Sequence, residues 1–556
     1  MFSTDEDLDY DLIVEVLKLI VQHSEPQSAI LVFLPGWGDI SECGLLLEST
    51  APFQNEKDFL ILPLHSGIPS HEQRKVLELP PEGVRKIVLS TNIAETSITI
   101  EDIAFVVDTG KAKEKSYDPH LKTSTLQAAW ISHASAKQRR GRAGRTKAGV
   151  AFHLFSKRRY KSMRPFLESE LLRTPLEEMC LLCKKLGLAP GGMEDDDGVP
   201  AFLAKAMSPP HPKSVSNALE LLVDLGAMEP ATNNLTTLGL CLSTISLEPR
   251  VGKMVIWSHL LGCSRASVDM AVAMSYKSPF IMPPPHQRRA ADMAKVELSQ
   301  QSESDQITLI NVLRLRDQFG KGRGPGSAYV SFCRRNFLSA STLDMISDLR
   351  GTLNRELQYL RFPPSTAMKH YHNRHNNDDA LWQAALAAGL YPNVACRSSG
   401  QTNFTTLSSL RQKCKIHISS VNSIKGQALN AKSRIPEGDI EFVAYAELVR
   451  GPQMFTMNQT THLTSSLPLL LLCGTALSVF PNSGSTCILN LDDVVVFECP
   501  SETASHIVLL RKRLEGGFWR YISSPNAGLE GLTPAEKHAV DIVGTVLRSA
   551  HRSALK

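Results

Sequence analysis

Gln138-Arg139-Arg140-Gly141-Arg142-Ala143-Gly144-Arg145 decides the reading of this chain, with four arginines and two glycines in eight residues. A guanidinium is always charged and offers a planar fork of donors matched to phosphate oxygens. Glycine lets the backbone come close to an anion. Upstream lies a run rich in hydroxyl and amide groups, Ser90-Thr91-Asn92-Ile93-Ala94-Glu95-Thr96-Ser97-Ile98-Thr99-Ile100. Two polyphosphate-reading segments on one small α/β unit point to a nucleotide machine acting on nucleic acid.

The residues around these two runs have the pattern of a doubly wound parallel sheet. Residues 8–23 place Leu8, Leu12, Val16, Leu19 and Ile20 on one helical face. Ala29-Ile30-Leu31-Val32-Phe33-Leu34 is an apolar run ended by Pro35-Gly36, the form of a central parallel strand. Residues 59–64, 85–90 and 103–107 read as further strands, with helical patterns at 40–47 and 71–77 between them. Ligands gather at the carboxyl ends of such strands. Pro35-Gly36, His65-Ser66, Ser90-Thr91 and Asp108 all fall there, and the arginine stretch is expected to open a helix nearby. Residues 111–130, centred on Tyr117-Asp118-Pro119, read as a projecting β-hairpin, and residues 149–155 as another strand.

Composition narrows the class. The 556 residues predict several domains, and a hydrophobic content of 42% is ordinary for globular proteins. The net charge of +4 is uninformative, but between Lys137 and Arg164 there are eleven Lys/Arg and no Asp/Glu. Such a run is either a solvated face or an anion site, and the interleaved glycines favour the second. Cys180 and Cys183 form the one close pair among eleven cysteines, and their apolar neighbours favour a buried helix face over a metal site. The scatter of cysteines fits a reducing compartment, cytoplasmic or nuclear. The acidic start resembles no signal peptide. The longest apolar run, 467–473, is too short to span a bilayer and reads as a buried strand.

Beyond residue 171 the pattern changes. Thr174-Pro175-Leu176-Glu177-Glu178 has the cap, proline and early acids of a helix start. A helix at 215–225 and a Leu235-to-Gly239 strand tail complete a small helical unit. Residues 240–380 are mostly helical, broken by loops at Pro283-Pro284-Pro285 and 320–326. His370, His372 and His375 sit in a polar segment that reads as a solvated loop rather than a metal site. From Gly389-Leu390-Tyr391-Pro392 onward, short β-like runs at 414–418, 440–445, 467–472, 485–491 and 494–498 fit a small barrel. Two helices, 505–514 and 534–547, close the chain.

These residues carry a resemblance. Ser90 to Ser97 and Gln138 to Arg145 resemble motifs V and VI of the DEAH-box/RNA helicase A group, nearest to its RNA helicase A and quadruplex-resolving branch. Ile30 to Gly36 is similar to its motif IV and Leu64-His65-Ser66 to its motif IVa. Leu172 to Glu177 resembles the entry to its winged helix, and Gly389 to Pro392 the entry to its OB-fold. The resemblance implies a second RecA-like lobe (1–168), a winged helix (169–240), a helical ratchet domain (241–385), an OB-fold (386–503) and a helical tail (504–556).

It also implies roles. ATP, with Mg2+, would sit between two RecA lobes, and Gln138, Arg142 and Arg145 would reach its phosphates. The two arginines would act as fingers, a device worth about 10³–10⁵ in rate. Asp108 would accept from the ribose, and Leu77 occupies the place of an aromatic that stacks on adenine. Gly36, Thr91, Asn92 and Thr96 would face the RNA backbone, the hairpin around Tyr117 would part or guide strands, and Arg411, Lys413 and Lys415 would line a groove for single strands. The expected partner is RNA as single strand, duplex or quadruplex, possibly DNA, recognised without sequence preference and with salt sensitivity.

No Gly-x-x-x-x-Gly-Lys-[Ser/Thr] and no Asp-Glu-x-His occurs in the sequence. The phosphate cradle and metal-binding carboxylates are expected in a missing first lobe. The expectation is therefore the C-terminal part of an ATP-dependent RNA helicase, inactive alone. The alternative is a non-catalytic RNA-binding scaffold derived from one.

Overall fold

The computed structural model describes residues 8–554 apart from 69, 97, 146–147, 193–194, 284, 320–326, 364–370, 424–439, 452–453 and 483. The expected loop at 320–326 and His370 therefore lie outside the described residues.

The N-terminal lobe is built on β1 (Ala29–Phe33), β2 (Phe59–Leu64), β3 (Arg85–Ser90), β4 (Ile103–Asp108) and a later edge strand. Every residue of β1 is buried, as its uninterrupted apolar sequence requires of a strand covered on both faces. Helix α1 (Tyr10–Gln22) starts where the Asp9 carboxylate accepts from the Leu12 N–H at 2.9 Å. It packs with α2 (Trp37–Ser49) on one face of the sheet through Ile13, Leu17, Ile40, Cys43 and Leu47. The other face buries Phe33, Val76, Val88 and Ala94, beneath α3 (Ser70–Lys75) and α4 (Ile93–Thr96).

A hairpin leaves this sheet: β5 (Lys111–Asp118) and β6 (Thr123–Trp130) pair antiparallel from Lys111↔Trp130 to Asp118↔Thr123. Helix α5 (His133–Arg140) follows, capped by the Ser132 hydroxyl, which accepts from the Ser135 N–H at 3.1 Å. The arginine stretch thus closes a helix rather than opening one. Gly141 ends α5, and Gly141–Gly144 continues as a 3-10 turn. The edge strand β7 (Val150–His153) completes a parallel sheet of order β2-β3-β1-β4-β7, and α6 (Lys157–Ser162) comes after it.

The expected helix start at Thr174 is displaced. The helix spans Glu177–Lys185, and the Thr174 hydroxyl instead donates to Glu170 O at 2.8 Å, closing the preceding turn. Cys180 and Cys183 lie buried on that helix, as expected. The strand tail at Leu235 reduces to a single bridge with Met228, because Thr236 caps a helix over Thr237–Leu242. Helices Pro249–Leu261, Ser264–Met274, Asp305–Gln318, Ala340–Tyr359 and Asp379–Leu390 then build the largest core. His372 is not in a solvated loop: it is fully buried, its ring stacked on His259 at 5.9 Å.

A five-stranded barrel follows, of β8 (Val394–Ser398), β9 (Phe404–Thr406), β10 (Lys413–Ile416), β11 (Ile440–Arg450) and β12 (Phe455–Leu463). Its order is β12-β10-β9-β8-β11, and pairing of β11 with β12 closes it. Residues 467–472 are not one of its strands. Leu467–Leu472 is a buried helix with Pro468 in its first turn. Proline suits a helix start and leucine favours helix over strand, and a short run buried all round has no periodicity to tell the two apart. The expected strands near 485 and 494 exist, but in a separate sheet of β13 (Leu477–Pro481), β14 (Thr486–Leu491) and β15 (Val495–Pro500).

Helices Ser501–Ser523 and Pro534–Ala554 end the chain, and Phe518 stacks on Trp257 with centroids 4.2 Å apart. The hairpin also joins the barrel's sheet, since β6 runs parallel to β11 with Val449↔Ser124 and Arg450↔Thr125 in register. No helix among the described residues is long and apolar enough to cross a membrane.

Candidate nucleic-acid interface

A cavity of about 1900 Å³ opens at the carboxyl ends of β1, β2 and β3, walled by the hairpin, the helical units and the barrel. The sequence-predicted Gly36, Thr91, Asn92 and Tyr117 all line it. A Cβ at Gly36 would stand 2.8 Å from the Lys113 amine, so a larger residue here would have to displace that flexible side chain. Thr91 is nearly buried, its N–H donating to Leu64 O at 3.3 Å, which fixes the strand-end turn. Asn92 is exposed to the cavity. The Tyr117 hydroxyl accepts from Asn217 Nδ2 at 3.5 Å, and burial, reinforced by Glu177, pushes its phenol up to about 12.

Sequence reasoning missed Lys113 and Lys115, which line the same wall. Side chains two apart on a strand share a face, so Lys113, Lys115 and Tyr117 form one row along β5. The alternation Lys111-Ala112-Lys113-Glu114-Lys115-Ser116-Tyr117 was the available signal. Lys115 pairs with Glu447 of β11 at 2.5 Å, and Glu114, facing away, pairs with Arg164. Lys253 and Lys295 also line the cavity, and burial lowers the Lys253 amine to about 8.

Other expected contacts fall elsewhere. Lys413 and Lys415 are exposed on either side of buried Cys414, outside the cavity lining. Arg411 donates to Val494 O at 2.5 Å, while its neighbour Gln412 lines the cavity. Thr96 is exposed at the end of α4 and is not part of the lining.

The arginine segment packs against Glu95, Ile98 and Thr99. Arg142 is nearly buried: Nη1 donates to Ile98 O at 2.9 Å and Nη2 to Glu95 O. Burial and neighbouring Arg145 disfavour its charge, and Glu95 partly restores it. Arg145 Nη1 donates to Thr99 Oγ1 at 2.6 Å. Gln138 is exposed on α5. Leu77 is half-exposed just beyond α3.

Asp108 has a different place from the one expected. It is fully buried, and its Oδ1 accepts from Arg139 Nη1 at 2.8 Å and from the Gly110 N–H at 2.9 Å. Its Oδ2 meets His153 Nδ1 at 3.3 Å. Burial alone would raise the carboxyl, but the Arg139 guanidinium outweighs it, helped by His153 and the Gly110 N–H, and holds it below the ordinary range. Arg139 is itself fully buried, also bonded to Glu95 at 3.1 Å and Lys111 O at 3.2 Å, over the Phe33 ring. Asp108 therefore anchors α5 to β4 and has no outward oxygen for a ribose. Among the described residues, no group of acids, histidines or cysteines is arranged to hold a metal.

Three domain families match this chain. Residues 11–147 match the helicase conserved C-terminal domain, 248–309 the ratchet-like helicase-associated domain, and 382–476 the oligonucleotide/oligosaccharide-binding fold. The chain carries a helicase C-terminal domain, a helicase-associated domain and an OB-fold, and its relatives are DExH-box helicases. The DExH-box ATP-dependent RNA helicase DExH6 of Arabidopsis thaliana is 37% identical over 486 residues, covering 86% of this chain and 36% of that protein. The ATP-dependent DNA/RNA helicase DHX36 of Mus musculus is 34% identical over 526 residues, covering 94% of this chain and 50% of that protein. DExH1 of Arabidopsis thaliana is 35% identical over 543 residues, covering 98% and 51%. The helicase domains here thus span about half the length of these relatives, or less. The C-terminal domain match contains the Gly36, Thr91 and Asn92 wall and the whole arginine segment.

Proposed function

We propose that this chain supplies the second RecA-like lobe and the RNA channel of an ATP-dependent RNA helicase, with the domain division 1–168, 169–240, 241–385, 386–503 and 504–556. One observation carries the reading: strand-end residues Gly36, Thr91 and Asn92 and the lysine row of β5 converge on one cavity, while the arginine segment packs on the motif that supplies Thr91. Gly36 admits a backbone phosphate, Thr91 and Asn92 offer polar groups, and Lys113 and Lys115 neutralise charge. Such contacts read the sugar-phosphate chain and not the bases.

The residues fit one wall of an ATP site. Gln138 is exposed, Arg145 has one bond to a hydroxyl, and Arg142 lies behind them with its charge held by two carbonyls. Bound there, ATP would supply the phosphoryl chemistry, and the arginines would stabilise negative charge. The metal's ligands and the phosphate cradle are expected on a facing lobe, since the sequence contains neither motif.

ATP turnover of the chain with excess RNA tests this. The expected result is RNA binding without turnover, and turnover once a first lobe is supplied in trans, abolished by Arg142→Ala. Robust turnover by the chain alone that survives Arg142→Ala would sink the proposal. RNA binding that ignores nucleotide even with a first lobe present would establish the scaffold reading instead.

A further inference from the structure

The basic run 137–164 is only partly accounted for by the arginine segment. Lys137, Arg140 and Lys157 of that run line a second cavity of about 570 Å³, between α5, β7 and α6. Phe155, Tyr160 and Phe166 supply its aromatic surface, and Lys137, Arg140 and Lys157 its rim. No carboxylate lines it, and no residue lines both this cavity and the channel. Lys137, Arg140 and Lys157 make no ion pair among the described residues. Phe166 is 73% exposed.

The aromatic rings are ordered, not scattered. Tyr160 stacks on His133 with centroids 4.4 Å apart, and Phe155 lies parallel to Tyr160 at 6.3 Å. Trp130, at the root of the hairpin, carries Arg159 over its ring and meets the edge of Phe155. Aromatic faces beside unpaired cations bind a flat, polyanionic ligand in which rings and phosphates alternate.

The hairpin relates this patch to the channel. Lys113 and Lys115 face the channel from β5, whereas Glu114 faces the opposite way and pairs with Arg164, within the basic run. The Glu114–Arg164 pair thus ties the hairpin face opposite the channel lysines to the basic run.

We propose that the Phe155–Tyr160–Phe166 patch is a second site for single-stranded RNA, holding a base on the exposed ring and phosphates on Lys137, Arg140 and Lys157. The proposal rests on the channel reading and adds a site outside it. The site also touches the arginine segment: His153 lines it and bonds Asp108, which holds Arg139.

The test uses the full chain and oligouridylates. With a 30-nucleotide strand, Phe166→Ala combined with Lys157→Glu is expected to weaken binding about tenfold or more, the loss typical of one stacked base and a phosphate contact. A strand too short to span both sites should bind the variant as tightly as the unaltered protein. In the unaltered protein, 4-thiouridine in the long strand should crosslink to residues 155–166, a readout independent of any variant's folding. Absence of that crosslink, or a variant that binds the long strand normally, overturns the proposal. Displacement of the crosslink by UTP at equal phosphate makes this a mononucleotide site, and displacement by poly-glutamate at equal charge makes it an acidic-peptide site; either result also overturns it. Thr91→Val and Lys113→Ala provide the separate check. If they weaken both strands while the patch variant weakens neither, only the second site is lost; if they weaken neither, the channel reading fails.

Discussion

Asp108→Asn separates an anchoring role from a nucleotide-binding one. The carboxylate and the Arg139 guanidinium are both fully buried, 2.8 Å apart. Removing one charge leaves Arg139 with Glu95 as its remaining anionic partner. Breaking a buried pair on one side typically costs about 3–5 kcal/mol, because the surviving charge stays in a low-dielectric interior. Arg139 retains Glu95, so the lower end, about 3 kcal/mol, is expected.

Amide hydrogen exchange of β1 and β4 reads this directly. Protection should fall roughly 100-fold, at about 1.4 kcal/mol per decade. Arg139→Met added to Asp108→Asn should recover part of the loss, since the fully buried guanidinium is then gone and only the less buried Glu95 loses its cation. The pH dependence follows from the depressed carboxyl. A folded pKa below the unfolded value of about 3.9 gives stability that is present above that pH and is lost as pH falls through the folded pKa. The Asn variant should lack this contribution, so its difference from the parent should shrink under acid. Unchanged protection together with weakened ATP binding in a two-lobe assembly would refute the anchoring role and restore the ribose contact.

Three further outcomes are expected. Lys113→Ala should weaken RNA binding and lower the salt slope by about 0.7, one single-strand phosphate contact, in titrations across salt concentrations. Asp305, on the helix Asp305–Gln318, accepts from Ser420 Oγ at 2.5 Å, the Val421 N–H at 2.9 Å and the Thr460 N–H at 3.0 Å, and pairs with Lys295 at 3.1 Å. Asp305→Ala should therefore cost about 3–5 kcal/mol in denaturant unfolding of the barrel. Lys253 is held at about 8 by burial, below the unfolded value of about 10.4, so folding opposes its charge at neutral pH. Lys253→Met should raise the melting temperature at pH 7, with the gain fading as pH climbs from about 8 to above 10.

The lobe was legible because its parallel strands are buried on both faces and carry unbroken apolar runs between clear turn signals. The cavity wall was legible for a related reason, since strand ends in such a sheet converge. Arg139, Arg142 and Arg145 are chemically alike, and only tertiary placement turns Arg139 inward onto Asp108. Lys113 and Lys115 escaped because the hairpin was read as a shape, without assigning its faces. Strand β12 escaped because Asn458, Thr460 and Thr461 interrupt its apolar pattern. Thr460 and Thr461 are both buried, on opposite faces of the strand, and bonded to Asn422 and Gln306, which no local signal records.

The pairing of β6 with β11 makes the boundary after the N-terminal lobe a boundary in sequence only. The lobe cannot complete its hydrogen bonding until the barrel, synthesised far later, has formed. Until then β6 is an open edge, with Leu126 already 47% exposed even in the finished fold. Unpaired edges template association with other chains, and contacts so distant in sequence form slowly. A lobe cut away at its apparent end should therefore aggregate at β6, and a charged or proline substitution on that edge should keep it monomeric.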